Sequence, residues 1–219
     1  METLENILQF DAFQSTLTVH VDTYQNAGAT MVQQLAYALS HVNEYLNHFG
    51  SKITNKITFN VTVGSHYFFE IAKLRALRIL WASLASEYGF NTNCRIKAIP
   101  SKRNKTIYDY NVNMLRTTTE WMSAVLGCAD VVCNLPYDSL YHNTNEFGDR
   151  ISRNQLLILK NESYFDKVNN PSDGAYYIEH LTQKLAEKAL ELFKENSYDI
   201  VITDIAMPKM DGVKLTEKI

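Results

Sequence analysis

The stretch Val63 to Trp81, VGSHYFFEIAKLRALRILW, decides the fold class. A β-rich run through Ile57, Phe59, Val61 and Val63 stops at Gly64, a loop of Ser65 and His66 follows, and a long helix is expected from about Phe68. In that helix Phe68, Ile71, Leu74 and Ala82 recur at steps of three and four, the spacing of one helical face. Glu70, Lys73, Arg75 and Arg78 are assigned to the other, charged faces. A strand, a sharp turn and a helix in this order specify an α/β protein.

The same unit repeats on both sides of this stretch. Upstream, Leu17, Val19 and Val21 alternate as a strand over Thr16 to Val21, Tyr24 to Gly28 reads as a loop, and Ala29 to Phe49 as a helix. The central helix is expected to run to about Tyr88, closed by Gly89. Downstream, Arg95 to Ile99 forms a third strand stopped by Pro100, with a helix from about Tyr108 to Leu126 ended by Gly127. Ala129 to Asn134 is a continuous apolar run of the kind parallel sheets bury on both faces, and a helix follows from about Phe147 to Asn161. A last amphipathic helix spans about Ala175 to Lys194. Four strand-then-helix units predict a parallel sheet, a (βα)4 half of a TIM-type barrel. Half a barrel leaves two sheet edges that must be paired, covered or blunted, so a partner chain or self-association through the open edges is expected.

Composition narrows the function classes. The 219 residues are 46% hydrophobic and 21% charged, ordinary for a globular chain and unlike a disordered one. A net charge of -3 argues against general nucleic-acid binding, and the one basic cluster, Lys97 to Lys105, is local. It reads as a solvated loop rather than a phosphate site. Cys94, Cys128 and Cys133 make no C-x-x-C pair and leave one over if two were joined, which suits a reduced cytoplasmic setting. The apolar stretch Ile71 to Leu84 is interrupted by Lys73, Arg75 and Arg78, short of the roughly 20 clean residues of a membrane span. No signal peptide is read at the N-terminus.

Several motifs in register resemble one family. Gln25-Asn26-Ala27-Gly28-Ala29-Thr30 with Leu35-Ala36-Tyr37, and Glu70-Ile71-Ala72-Lys73-Leu74-Arg75-Ala76 with Leu80-Trp81-Ala82, resemble the later barrel strands and helices of methylmalonyl-CoA mutase. So do Arg116-Thr117, Arg150-Ile151-Ser152-Arg153-Asn154 and Asn170-Pro171-Ser172-Asp173-Gly174-Ala175-Tyr176-Tyr177. The resemblance runs from about Phe10 to Glu195 and implies the second half of that family's substrate-binding barrel.

The residues that would carry the family's chemistry depart from its pattern. Catalytic subunits have R-x-H-x-Q-T-S-G-W after the third of these strands, whereas this chain reads Arg95-Ile96-Lys97-Ala98-Ile99-Pro100-Ser101-Lys102-Arg103. Arg95 is kept, and Lys97 stands at the histidine position. A lysine cannot offer the neutral donor and acceptor pair of imidazole near pH 7. The family's H-T-N appears as Cys133-Asn134-Leu135, and the cobalt-ligating D-x-H-x-x-G is absent from the sequence. These departures resemble the non-catalytic small subunit of heterodimeric bacterial mutases. The resemblance therefore implies a structural and assembly subunit with no catalytic residue and no metal ligand of its own. Its partner would be a mutase catalytic subunit, and adenosylcobalamin would be bound by the assembled enzyme rather than by this chain alone. His66, Tyr67, Arg95, Lys97 and Asn134 are the candidates for the substrate mouth. On its own terms His66 reads as a partly buried loop histidine with one hydrogen-bond partner, and Cys133 as a small buried thiol.

The C-terminus carries a second resemblance. Tyr198 to Ile219, YDIVITDIAMPKMDGVKLTEKI, resembles the central strand of a response-regulator receiver domain, with Asp204 at the phosphoacceptor position. The acidic pair that would hold Mg²⁺ is missing. The chain thus divides into a mutase-like half-barrel over 1–195 and a truncated receiver-like strand and helix start over 196–219, whose strand is expected to add a fifth to the sheet. The alternative function is a fused or chimeric α/β scaffold carrying a phosphoacceptor at Asp204.

Overall fold

A computed structural model describes residues 17–143 and 145–195 of the chain. The expected fifth strand, the division at 196 and the Asp204 phosphoacceptor lie outside the described residues. In order the elements are β1 (Leu17–His20), α1 (Val21–Asn26), α2 (Met31–Phe49), a 3-10 helix (Gly50–Lys56), β2 (Ile57–Val63), α3 (Tyr67–Glu87), β3 (Arg95–Pro100), α4 (Val112–Leu126), β4 (Val131–Val132), α5 (Glu146–Asn161) and α6 (Tyr176–Glu195). The four strands make one parallel sheet in the order β1-β2-β3-β4. A parallel sheet in sequence order with helical crossovers is an α/β fold consistent with half of a TIM-type barrel.

The register sorts side chains onto two unlike faces. Leu17 pairs with Ile57, Val19 with Phe59, Phe59 with Ile96 and Val61 with Ala98, and all are buried beneath the helices. Within that layer the Phe59 and Trp81 rings meet edge to face with centroids 5.6 Å apart, a geometry worth roughly 0.5–1.5 kcal/mol beyond the buried area. The other face carries Thr18, His20, Thr58, Asn60, Thr62, Arg95 and Lys97, with His20, Asn60, Lys97 and Val131 aligned in one row across the strands. In a closed barrel that polar face would line the lumen. Here α6 does not follow a strand; it packs over α2 and α3 as a third layer, through Ile178, Leu185 and Ala189. Among the described residues no helix is long and apolar enough to cross a membrane.

Four expectations are corrected. The loop expected over Tyr24 to Gly28 is mostly the short helix α1, which buries Val21 and Gln25, one turn apart, and ends before Gly28 at φ +112. The helix expected from Tyr108 begins at Val112, because Asn113 bonds both the N–H and the C=O of Thr106 and fixes the preceding residues as turns. The fourth strand is two residues at a sheet edge, with Val131 53% exposed, so it is not buried on both faces. Finally, the faces of α3 are only in part where their spacing put them: Ile71 and Leu74 are buried as expected. Glu70 and Lys73 are buried, while Phe68 and Ala82 are exposed.

Candidate functional site

A polar cavity of about 350 Å³ opens at the C-terminal ends of β2 and β3, the end at which barrel folds place their sites. Its lining includes Gln25, Gln34, Ser65, His66, Glu70 and Arg103. Gly64 makes the close packing there feasible: a Cβ on it would stand 3.1 Å from Glu70 Oε1 and 3.9 Å from Ser101 Cβ. Thr30 caps α2 at the cavity edge, accepting from the Gln33 N–H while the Gln33 side chain accepts from the Thr30 N–H.

The floor is an ion pair taken out of water. Lys73 Nζ lies 2.5 Å from Glu70 Oε2, with the lysine 1% and the glutamate 3% exposed. The ammonium also donates to the Thr62 carbonyl at 2.7 Å and to Gln34 Oε1 at 3.2 Å, while Glu70 Oε2 meets it as an ion pair without hydrogen-bond alignment. A buried charge survives only when paired and hydrogen-bonded in this way. The i,i+3 spacing on one helix makes the pair possible, and its neutrality is why two charged residues sit in the core layer.

The wall on the other side belongs to the β3–α4 connection. Ser101 N–H donates to the Val63 carbonyl at 2.8 Å, extending the β2–β3 ladder. Ser101 Oγ accepts from Gln25 Nε2 at 2.8 Å and from Arg103 N–H at 3.2 Å, while Arg103 Nη1 donates to the Gln25 carbonyl at 3.0 Å. Gln25 Oε1 is buried with no partner among the described residues. Behind this wall Lys105 Nζ donates to both Glu120 carboxylate oxygens, at 2.8 and 2.7 Å, and Asn104 Nδ2 donates to the same carboxylate. Burial pushes the Glu120 carboxyl above its ordinary range and the Lys105 amine below its own, each partly opposed by the other's charge. Lys105 is thus not part of a solvated loop; only its neighbours Lys102 and Arg103 are exposed.

The expected mouth residues do not converge. His66 lines the cavity, exposed at its rim rather than partly buried, and its ring sits 6.4 Å from Phe69. Tyr67 opens α3 beside it without lining the cavity, and burial raises its phenol. Arg95 and Lys97 point to the lumen face of the sheet, away from the cavity. Asn134 holds α5, donating to the Ser152 carbonyl and to Gln155 Oε1, both at 2.9 Å. Cys133 is exposed, and it is Cys94 that is the buried thiol, pushed up to about 12 by desolvation. Sequence reasoning missed Gln25, Gln34 and Ser101. Gln25 and Gln34 are not charged, and no spacing marks them; only the turn after each strand end could have pointed to Ser101.

These residues do not make a corrin site. A cavity of about 350 Å³ is at the small end of ligand pockets, well below a macrocycle with its side chains. Lys97 is on the other face of the sheet, and no group of three or more His, Cys, Asp or Glu side chains suited to a metal ion gathers among the described residues.

Comparison with known proteins gives a consistent picture. The family model described as methylmalonyl-CoA mutase matches residues 7–197. The mutase small subunit of Porphyromonas gingivalis is 44% identical over 188 residues, covering 81% of this chain and 30% of the relative. The small subunit of Propionibacterium freudenreichii subsp. shermanii is 34% identical over 202 residues, 88% of this chain and 32% of the relative. The large subunit of the same organism is 33% identical over 175 residues, 75% of this chain and 24% of the relative. The chain therefore spans about a quarter to a third of the length of these relatives.

Proposed function

Because the chain belongs to the methylmalonyl-CoA mutase family, we propose that it is a non-catalytic part of a mutase barrel, acting in structure and assembly while a catalytic partner isomerises the acyl-CoA. The observation that carries this reading is Lys97 at the family's histidine position, on the lumen face and half-buried between Asn60 and Val131 of the neighbouring strands. A lysine side chain ends in donors alone and does not replace the donor and acceptor pair of an imidazole. Adenosylcobalamin belongs, on this reading, to the partner.

The sheet supports the assembly role. Parallel sheets are normally covered on both faces, yet one face here is polar and partly open, and among the described residues β1 and β4 each have one unpaired edge. A second set of strands would cover the face and pair both edges together. Relatives named as small and as large subunits both align to this segment, which supports a mutase chain as the source of the complementary half on this reading. The test is co-purification of the tagged chain with a mutase large subunit, followed by size-exclusion chromatography. Co-elution at micromolar concentration is expected; two separate peaks, with the chain folded by circular dichroism, would sink the proposal.

A further inference from the structure

We infer that the polar face of the sheet docks against a chain that brings carboxylates to it, and that the same requirement excludes a second copy of this chain as the cover. The inference rests on the subunit reading and adds the chemistry of the partner's surface. Lys97 stands on that face between Asn60 of β2 and Val131 of β4. Among the described residues neither a hydrogen bond nor an ion pair holds its amine. Arg95 lies on the same face two residues earlier and has an interaction of its own. The four strands contain no Asp or Glu. The acids that flank them are committed elsewhere: Asp22 Oδ1 to His20 Nδ1 at 3.2 Å, and Asp130 Oδ2 to Arg78 Nη2 at 3.0 Å and to the Ile96 N–H at 2.7 Å.

Parallel sheets are normally covered on both faces, and covering this one takes the Lys97 amine out of water. A lysine ends in three donors and no acceptor, and a buried charge persists only when it is paired and hydrogen-bonded. With no acid on the strands to meet it, the covering surface must supply the carboxylate. A second copy would bring the same strands, with Arg95 and Lys97 again and no acid. Like charges meeting in a desolvated interface disfavour that pairing. The face therefore chooses between the two ways of closing an open sheet, accepting an acidic half and repelling its own kind.

The experiment measures the dissociation constant of the tagged 219-residue chain and a mutase large subunit by biolayer interferometry, with the parent, Lys97→Met, Lys97→Glu and Lys97→Arg side by side. Lys97→Met is expected to weaken binding at least about thirtyfold, because the partner's carboxylate is left buried and unpaired, and Lys97→Glu at least about a hundredfold, because the new carboxylate faces a like charge. Lys97→Arg keeps the charge and should stay within about fivefold of the parent. The isolated variants should unfold thermally within about 2 °C of the parent, since no partner in this chain is lost. A larger drop in Lys97→Met would place the carboxylate within the chain itself and overturn the inference. The parent alone is expected to sediment as a monomer at tens of micromolar; a dimer that competes with subunit binding would show that a second copy covers the face, and overturns it too. Binding that Lys97→Glu leaves intact overturns the inference alone, whereas a parent chain that does not bind at all overturns it together with the subunit reading.

Discussion

Lys73→Met removes the cation from the floor of the cavity and leaves Glu70 as an uncompensated charge with 3% of its surface in water. It also leaves the Thr62 carbonyl and Gln34 Oε1 without the donors that reach them at 2.7 and 3.2 Å. Breaking a buried pair by removing one partner costs roughly 3–5 kcal/mol, several times an exposed pair. A chain of this size loses about 2–4 °C of melting temperature per kcal/mol, so a drop on the order of 6–20 °C is expected. Glu70→Leu added to Lys73→Met removes the stranded charge, and the double variant should recover at least about half of the loss. Urea unfolding followed by circular dichroism measures both, with an unchanged slope confirming that the native state is still compact. If Lys73→Met costs less than about 1 kcal/mol, or the double variant is no more stable than the single, the floor is not a buried ion pair and the reasoning fails.

Other consequences can be checked with the same material. Thr30→Ala deletes the capping box of α2 and should cost about 1 kcal/mol in urea unfolding, with Thr30→Ser restoring most of it. Burial raises the Glu120 carboxyl, so the native state holds that proton more tightly than the unfolded chain. Its stabilising contribution is complete below the ordinary value of 4.5 and is lost as pH rises through the raised native value. The stability of the parent chain minus that of Glu120→Gln should therefore fall as pH rises from 4.5 toward neutrality; a flat or rising difference would refute it. With its thiol pushed up to about 12, Cys94 should react with a disulfide reagent at pH 8 only on unfolding, whereas exposed Cys133 reacts at once. Gly64→Ala sets a Cβ 3.1 Å from Glu70 Oε1 and should destabilise the chain by roughly 1–3 kcal/mol while constricting the cavity.

What could be read from the sequence follows from which physical signals are local. β2 and the helix after it were legible to within a residue or two, because Ile57, Phe59, Val61 and Val63 alternate and Gly64 punctuates them. Helix α1 was not legible: its six residues bury only Val21 and Gln25, too few for any periodicity to register. The run Ala129 to Asn134 is apolar enough for a central strand, but position in the sheet is a tertiary fact, and β4 turned out to be its edge. Glu70 and Lys73 were assigned to the charged faces of the helix by residue type, although their pairing lets the core accept both. The mouth candidates came from family resemblance by strand position, and alternation along β3 sends Arg95 and Lys97 to the face opposite the one that packs against the helices. Gln25 became visible as a site residue only once its unmet oxygen could be placed beside the cavity.

The central claim, that this chain belongs to a mutase barrel without carrying its chemistry, is tested most directly by turnover. The purified chain is incubated with adenosylcobalamin and methylmalonyl-CoA, and succinyl-CoA is quantified against a protein-free blank. If Lys97 stands where catalytic chains of the family carry a histidine, as proposed, product should not rise above the blank. Succinyl-CoA formed in proportion to the amount of chain added would contradict the account.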